Sequence, residues 1–420
     1  MHKNRIRLYA LITLLCGPLL LRPALAQGEV SFRNRMDLEA RYGPISVAVS
    51  DFNGDAIQDL AVATSGWGHY VYIFLGEGNG RFAPARTLNV GQSPVSITTA
   101  DFDGDGYQDL AVADAATNMA TILLGRGDGT FGPPQSFGVG VRPQFITAGD
   151  FNGDEIPDLA VANTGQPFGK GGTTVSVLLG RGDGTFAAAP PVTAGSRPFS
   201  IAVGDFNGDG ISDLAVANLD SGEVSILLGS GAGRFESARQ FWVGKGASSI
   251  AVGDFNGDNV QDLVVANGTG ETERPGSTVA VLLGNGDGTF GPARHFEAGV
   301  MPSSVTVADF NGDRIPDLAV VSWGWVDGTD SSQVTILLGK GDGTFQSGRN
   351  FEVGRGPRSV VVGDFNGDDR PDLAVANWDH WGCRLLHWVD FSGLCLLGTT
   401  VSILLNDTSW PPNAAPSRSR

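Results

Sequence analysis

Seven copies of one short acidic motif, spaced at nearly equal intervals, limit the folds open to this 420-residue chain. The motif reads DFNGD in six copies and DFDGD in the second, and a further aspartate follows shortly after each copy, as Asp59 follows Asp55. The copies begin at Asp51, Asp101, Asp150, Asp205, Asp254, Asp309 and Asp364. A self-similar period of about 50 residues indicates a repeat architecture.

Each repeat is predicted to contain four short strands. In the fourth repeat the apolar runs SIAVGDF, DLAVAN and VSILLG are bounded by Gly, Asn or Asp, as strands are. A glycine-rich turn, GxGDGTF in most repeats, then leads into a fourth strand, as in the segment Thr289 to Gly299. Because the continuous apolar runs fit strands covered on both faces, the repeats predict an all-β fold, a closed seven-bladed β-propeller of four-stranded antiparallel blades.

The two ends of the repeat region complement each other. The Phe of each GTF or GRF turn precedes the next acidic motif at a constant interval, as Phe82 precedes Asp101, and Phe32 precedes Asp51 at that same interval. The last repeat stops after VSILLND, Val401 to Asp407, without a fourth strand. We therefore expect Ser31 to Ala40 to supply the outer strand of the seventh blade and to remove an exposed sheet edge.

The segment 1–26 differs from the repeats and is expected to be a signal peptide. A basic segment precedes an apolar core, and Ala24-Leu25-Ala26 offers a small-residue cleavage site before Gln27. The predicted organisation is a removed signal peptide at 1–26, the propeller at 27–408 and a disordered tail at 409–420. Since no other segment resembles a membrane span, we expect a secreted protein, extracellular or periplasmic.

Charge and cysteine content narrow the class of partner. The net charge of −17 becomes −21 once the four basic residues of the signal peptide are removed. A surface this acidic repels nucleic acid and anionic lipid. We expect a monomer whose ligand is an extracellular carbohydrate or protein. Two cysteines then remain, Cys383 and Cys395, and in an exported protein they are expected to form one disulfide.

The acidic loops have the composition of a calcium site. Counted from the first aspartate, side-chain oxygens occupy positions 1, 3, 5 and 9, and position 7 varies in type, as expected if it uses only its backbone carbonyl. Hard oxygen ligands in this number suit Ca²⁺, whereas softer metals prefer His or Cys. Asx-turns that cap hairpins are the alternative, but a turn needs one carboxylate, and three in so short a loop repel one another.

Up to seven structural Ca²⁺ ions, one per blade, are therefore expected in loops 51–59, 101–109, 150–158, 205–213, 254–262, 309–317 and 364–372. The predicted ligands are Asp51, Asn53, Asp55, Ile57 and Asp59; Asp101, Asp103, Asp105, Tyr107 and Asp109; Asp150, Asn152, Asp154, Ile156 and Asp158; Asp205, Asn207, Asp209, Ile211 and Asp213; Asp254, Asn256, Asp258, Val260 and Asp262; Asp309, Asn311, Asp313, Ile315 and Asp317; and Asp364, Asn366, Asp368, Arg370 and Asp372.

These motifs carry a resemblance to a known family. DFNGDxxxDLAVAN together with VSILLGxGDGTF resembles the FG-GAP or VCBS repeat, which forms the seven-bladed propeller at the head of integrin α subunits and is found in many secreted bacterial proteins. The resemblance covers essentially all of the expected mature chain. It implies calcium at positions 1, 3, 5, 7 and 9 of each loop. Because members serve in adhesion, carbohydrate binding and polysaccharide cleavage, it does not imply one function.

The connection between the second and third strands is where the repeats differ most, and it lies on the face opposite the acidic loops. It is longest in the seventh repeat, where it runs from Asp372 to Val401. Six of the eight tryptophans fall in these connections, and they are the candidate ligand-binding residues: Trp67, Trp323, Trp325, Trp378, Trp381 and Trp388. Blades 6, 7 and 1 are neighbours in a closed ring, so these side chains form one predicted platform for sugar or protein.

Two alternatives remain open at this point. The tryptophans can instead form a local core for the long insertions. The chain can also be a polysaccharide lyase or hydrolase on the same scaffold, with His380 and His387 beside Asp379 and Asp390 in the seventh insertion as a conceivable catalytic set. No nucleophile elbow or zinc signature accompanies them, so we predict no catalytic residues and a binding or adhesion module rather than an enzyme.

Overall fold

The computed structural model describes residues 29–33, 35–65, 69–166, 171–268, 277–326, 329–378 and 399–409. All secondary-structure elements in these ranges are β-strands. They form seven antiparallel sheets that repeat along the chain as blades 1 to 7, and one separate two-stranded hairpin. The all-β propeller predicted from the repeats is confirmed. None of the described residues belongs to a helix that could cross a membrane.

The strands occupy equivalent places in each blade. The first strands of blades 1 to 7 are β2 (Pro44–Ser50), β6 (Pro94–Ala100), β10 (Pro143–Gly149), β15 (Pro198–Gly204), β19 (Ala247–Gly253), β23 (Pro302–Ala308) and β29 (Pro357–Gly363). The second strands are β3 (Asp59–Thr64), β7 (Asp109–Asp114), β11 (Asp158–Gly165), β16 (Asp213–Asn218), β20 (Asp262–Asn267), β24 (Asp317–Ser322) and β30 (Asp372–Asn377).

The third and outer strands complete the sheets. The third strands are β4 (Tyr70–Phe74), β8 (Met119–Leu123), β12 (Gly171–Gly180), β17 (Glu223–Leu227), β21 (Thr278–Leu282), β27 (Gln333–Leu337) and β31 (Thr400–Leu404). The outer strands are β5 (Arg86–Asn89), β9 (Gln135–Gly138), β13 (Phe186–Ala188) with β14 (Val192–Thr193), β18 (Arg239–Trp242), β22 (Arg294–Glu297), β28 (Arg349–Glu352) and, for blade 7, β1 (Met36–Glu39). A two-stranded hairpin, β25 (Trp325–Val326) with β26 (Thr329–Asp330), lies in the long connection of blade 6.

The hydrophobic core consists of seven layers, each lying between two neighbouring blades. Second strands such as DLAVAN are buried along their whole length, because they are covered on both faces. The layer between blades 1 and 2, for example, contains Ala61 and Ile73 from one blade and Ile97 and Leu110 from the next. A corresponding layer joins blade 7 to blade 1, with Ala374 and Val401 packed beside Val47. The apolar runs therefore stabilise the ring rather than any single blade.

Each acidic loop also binds the next blade through its phenylalanine. The Phe52 carbonyl of blade 1 accepts the backbone N–H of Gly129, the second glycine of the GDGT turn in blade 2, at 2.9 Å. The Phe52 ring packs edge-on against Phe131 of that turn, with ring centroids 5.7 Å apart. The same pair of contacts joins blade 7 to blade 1, where Gly80 donates to the Phe365 carbonyl at 2.8 Å. One motif thus forms both a loop and an interblade contact.

The N-terminal segment forms the outer edge of blade 7. Strand β1 pairs antiparallel with β31, with Met36 opposite Ile403 and Glu39 opposite Thr400. Phe32 takes the place of the missing turn phenylalanine, because its ring lies 6.3 Å from that of Phe310 in blade 6. This is the outer strand that the spacing between Phe32 and the first acidic motif predicts.

Asn406 replaces a whole turn at this seam. Its backbone N–H donates to Asp372 Oδ1 at 2.7 Å, as the equivalent residue does in the other blades. Blade 7 has no turn glycine to reach the Phe310 carbonyl, and the Asn406 side-chain amide donates to that oxygen instead, at 3.0 Å. Asn406 is fully buried, so no water can replace the bond.

We predict that Asn406→Ala destabilises the protein by about 1–3 kcal/mol, because the buried Phe310 carbonyl loses its donor. Thermal or urea unfolding measures the change. Asn285→Ala is the matched control, since Asn285 makes an exposed hydrogen bond to Thr289 within a surface turn. Equal effects of the two substitutions would contradict the assigned role of Asn406.

Candidate functional site

The seven acidic loops share one hydrogen-bond pattern, and each connects the first and second strands of its blade. The aspartate at position 1 accepts at least one backbone N–H group on each of its two oxygens. In blade 1, Asp51 Oδ1 accepts the N–H of Gly54 at 2.7 Å, and Oδ2 accepts that of Ala56 at 2.7 Å. Gly54 has a φ of 76°, a left-handed conformation that suits glycine, and this lets the chain turn back on itself.

Positions 3 and 5 contact each other on the exposed side of the loop. Asn53 Nδ2 donates to Asp55 Oδ2 at 2.9 Å, and the Asp55 backbone N–H donates back to Asn53 Oδ1 at 3.0 Å. Asp55 Oδ1 accepts the N–H of Ile57, the position 7 residue, at 2.8 Å. All five predicted ligand positions therefore belong to one closed loop.

The aspartate at position 9 has a structural role that the sequence does not reveal. Asp59 is fully buried, with Oδ2 accepting the N–H of Phe52 at 2.9 Å and Oδ1 accepting that of Gly76 at 2.7 Å. Gly76 follows the third strand, so one carboxylate holds the loop and the third strand together. The equivalent aspartates of the other six blades are also fully buried and make the same two contacts: Asp109, Asp158, Asp213, Asp262, Asp317 and Asp372.

Burial has a large effect on these carboxyls. Loss of solvation, with a smaller contribution from the neighbouring carboxylates, raises the pKa of Asp59, Asp109 and Asp158 to about 6. The same causes raise the pKa of Asp372 to about 7 and that of Asp317 to about 8. The loop thus concentrates negative charge that only a positive ion or a proton can offset.

The donor set of the loops fits a hard divalent cation. In blade 2, where position 3 is Asp103 rather than Asn, one oxygen from each of Asp101, Asp103 and Asp109 lies within 4.8 Å of the others. Carboxylate, amide and carbonyl oxygens are the ligands that Ca²⁺ prefers. Each position 9 oxygen accepts one N–H and keeps a second lone pair, so the backbone contacts leave it able to bind a cation.

The opposite end of the strands surrounds a cavity of about 540 Å³ at the mouth of the central channel. It is lined by the beginnings of the first strands, such as Ile45 and Ser46, and by residues that follow the second strands, such as Ser65. Ten serines line it, together with arginines, tryptophans and phenylalanines. This wall is therefore rich in hydroxyl groups and has several flat aromatic surfaces.

Arg358 lies between two of the predicted tryptophans in this cavity. Its guanidinium carbon is 4.1 Å from the ring centroid of Trp323 and 5.2 Å from that of Trp378. Trp323 follows β24 in blade 6 and Trp378 follows β30 in blade 7. Trp378 also packs against Gly43 of blade 1, where a Cβ atom would lie 2.5 Å from the indole. The three side chains form a stack at the junction of blades 6, 7 and 1.

Comparison with protein families places these features in context. Six segments match the model of the FG-GAP-like repeat, at residues 51–112, 101–161, 150–216, 205–265, 254–320 and 321–375. They cover well over half of the chain. This protein belongs to the FG-GAP-like repeat family. No curated protein matches the chain at a significant level.

Several solved structures resemble this FG-GAP propeller at low sequence identity. A BBS1N chain crystallised in complex with ARL6DN has a TM-score of 0.59 and 13% identity, covering 92% of this chain and 98% of that one. A candidate 6-phosphogluconolactonase from Bacteroides fragilis has a TM-score of 0.57 and 16% identity, with 77% and 88% covered. A Lactobacillus plantarum protein has values of 0.55 and 16%, with 74% and 86% covered. At such identities the likeness shows the fold alone.

The structure of the FG-GAP propeller brings together two of the six predicted tryptophans, Trp323 and Trp378. Trp67, Trp381 and Trp388 lie outside the described residues, as do Cys383 and Cys395 with their expected disulfide, and the side chain of Trp325 is not described. Sequence reasoning missed Arg358. A comparison of the repeats could have found it, because Arg358 is charged whereas the equivalent residues of the other six repeats are not. Those residues are Ile45, Val95, Gln144, Phe199, Ser248 and Ser303.

We predict that, in the presence of a chelator, the FG-GAP propeller becomes less stable as pH rises from 5 to 8. Burial raises the pKa of all seven position 9 carboxyls above the ordinary aspartate value, to about 6 at Asp59, about 7 at Asp372 and about 8 at Asp317. The folded protein therefore keeps these protons, and is stabilised by them, at pH values where the unfolded chain has lost them. This stabilisation is complete below about pH 4 and is lost as pH rises through those folded pKa values. The midpoint of thermal unfolding at each pH measures the effect, and a midpoint that rises over this range would contradict it.

Proposed function

We propose that this FG-GAP propeller is a secreted binding module, stabilised by calcium in its loops, that binds an extracellular carbohydrate at the cavity of the opposite face. The observation that carries the carbohydrate assignment is the wall of ten serines beside Trp323 and Trp378. Secretion rests on the signal-peptide pattern of residues 1–26. A rigid ring that presents variable positions at one end is a typical binding scaffold.

The serines support a ligand with many hydroxyl groups because several of them remain able to form a further hydrogen bond. Ser46 and Ser304 accept a backbone N–H from the next blade, each at 3.3 Å, which leaves each O–H free to donate. Ser303 donates to the Pro357 carbonyl at 2.8 Å, which leaves its oxygen free to accept. The wall therefore offers both donors and acceptors. A sugar requires both, since each of its hydroxyl groups donates and accepts.

Calcium in this proposal is structural. The loops lie at the other end of the strands from the cavity, so a bound ion would stabilise the blades without contacting the ligand. An ion that binds only the folded loop adds about 2.7 kcal/mol per site at a hundredfold excess over its dissociation constant. In each loop, the residues at positions 1, 3, 5, 7 and 9 would hold it.

We predict that Ca²⁺ raises the unfolding midpoint relative to the same protein in a chelator, because it offsets the clustered carboxylates. Asp101→Asn should reduce this calcium-dependent increase by removing a position 1 ligand from blade 2. Asp103→Asn is the matched control, since it converts that loop to the DFNGD form of the other six. An identical midpoint in calcium and in chelator would rule out the calcium proposal.

We predict that a panel of immobilised glycans reveals binding by the calcium-loaded protein, and that Trp323→Ala weakens it at least about tenfold by removing a wall of the site. Trp242→Ala serves as the control, because Trp242 is 62% exposed on the outer strand of blade 4 and does not line the cavity. Absence of glycan binding by the parent protein, or equal loss in both variants, would count against the carbohydrate site.

A further inference from the structure

The backbone at the cavity singles out one residue in each blade. In all seven blades the pairing of the first and second strands slips by one residue, as between Pro357 and Ser359 in blade 7. The extra residue is excluded from the ladder, and such a bulge redirects its side chain. In blades 5 and 6 it is a serine that bonds to the next blade, as when Ser248 donates to the Pro302 carbonyl at 3.1 Å. In blade 7 it is Arg358.

The Arg358 guanidinium lies over both indole rings. Stacking of this kind orients the planar group but uses none of its N–H donors, which point outward in its plane. Arg358 Nε is buried and has no hydrogen-bond partner among the residues that the structure describes. Trp323 Nε1, beside it, is likewise buried and without a partner in the described part of the chain. Burying the N–H groups of Arg358 Nε and Trp323 Nε1 without partners is unfavourable. We therefore expect a ligand to supply an acceptor at this place.

Within the described part of the chain, no acidic side chain offsets the charge of Arg358. Arg142 and Arg197 line the same cavity, and none of its described lining residues is an aspartate or glutamate. Arg197 has its own partner, Asp220, at 3.2 Å, whereas no ion pair involves Arg358 within the described ranges. Burial lowers the pKa of Arg358 to about 10, so the group remains charged at neutral pH. A cationic cavity in a chain with a net charge of −17 is a local reversal of the overall field.

We propose that the cavity selects a saccharide bearing a carboxylate, such as a hexuronate, and that Arg358 binds the carboxylate while the serines bind the hydroxyl groups. This assignment rests on the carbohydrate function proposed above and adds the class of sugar. A carboxylate can lie in the plane of the guanidinium and accept two N–H groups at once.

The test compares acidic sugars with neutral forms that keep the same hydroxyl groups. Oligosaccharides of galacturonate, glucuronate and mannuronate, each as the free acid and as the methyl ester, are titrated into the calcium-loaded mature protein by calorimetry. We expect at least one acid to bind about tenfold or more tightly than its ester. Arg358→Gln should bring that ratio close to one while changing ester affinity by less than about threefold.

Arg355→Gln is the matched control, because Arg355 lies in the preceding turn, is 60% exposed and pairs with Asp330 at 3.1 Å. It should leave the ratio unchanged. Arg358→Lys keeps the charge but not the planar fork, so it should retain only part of the preference. Because the readout is a ratio of two affinities, a general loss of stability in a variant does not imitate the result.

The possible results distinguish failure of the uronate assignment from failure of the carbohydrate-binding function on which it rests. Equal affinity for acids and esters, or a preference that persists in Arg358→Gln, would overturn the role of Arg358 while leaving a neutral-sugar site intact. Binding of neutral glycans alone would do the same. Binding of peptides with a free terminal carboxylate, but of no sugar and no amidated peptide, would overturn the carbohydrate function and with it the uronate assignment.

Discussion

The structure depends on one repeated interaction, the buried aspartate that closes each acidic loop. Its two oxygens accept N–H groups from the phenylalanine of the loop and from the end of the third strand, as Asp59 does with Phe52 and Gly76. The same phenylalanine presents its carbonyl and its ring to the next blade. A single carboxylate therefore connects the loop, its own blade and its neighbour, and the ring is the sum of seven such connections.

The seam between blades 6 and 7 shows which parts of that connection are required. There the turn is absent, and the chain supplies its contacts from separate places: the ring from Phe32 and the donor from Asn406. The required contacts are therefore present although blade 7 has no continuous glycine-rich turn. Closure of the ring thus requires a phenylalanine ring and a hydrogen-bond donor at the Phe310 carbonyl. These two groups can come from distant parts of the sequence.

Much of this architecture can be predicted from the sequence, because repetition makes each structural requirement visible several times. The run DLAVAN predicts a second strand at Asp213–Asn218, where the structure has it, and the spacing of Phe32 predicts the outer strand of blade 7. Arg358 could not be predicted in the same way. The role of Arg358 depends on its contact with Trp323, which belongs to the preceding blade. It also depends on a bulge in the strand pairing, and no sequence pattern marks that bulge. The position 9 aspartates look like ligands alone, because the backbone groups that they accept are invisible in a sequence.

The bulge at the start of every first strand has a consequence for recognition. It leaves one side chain per blade outside the ladder, at the mouth of a channel that all seven blades share: Ile45, Val95, Gln144, Phe199, Ser248, Ser303 and Arg358. The strand pairing continues past the bulge in all seven blades although six residue types occupy it, so the backbone tolerates substitution at this position. Repetition of one unit thus gives a mouth with seven contacts of differing chemistry, so that a symmetric scaffold can recognise an asymmetric ligand.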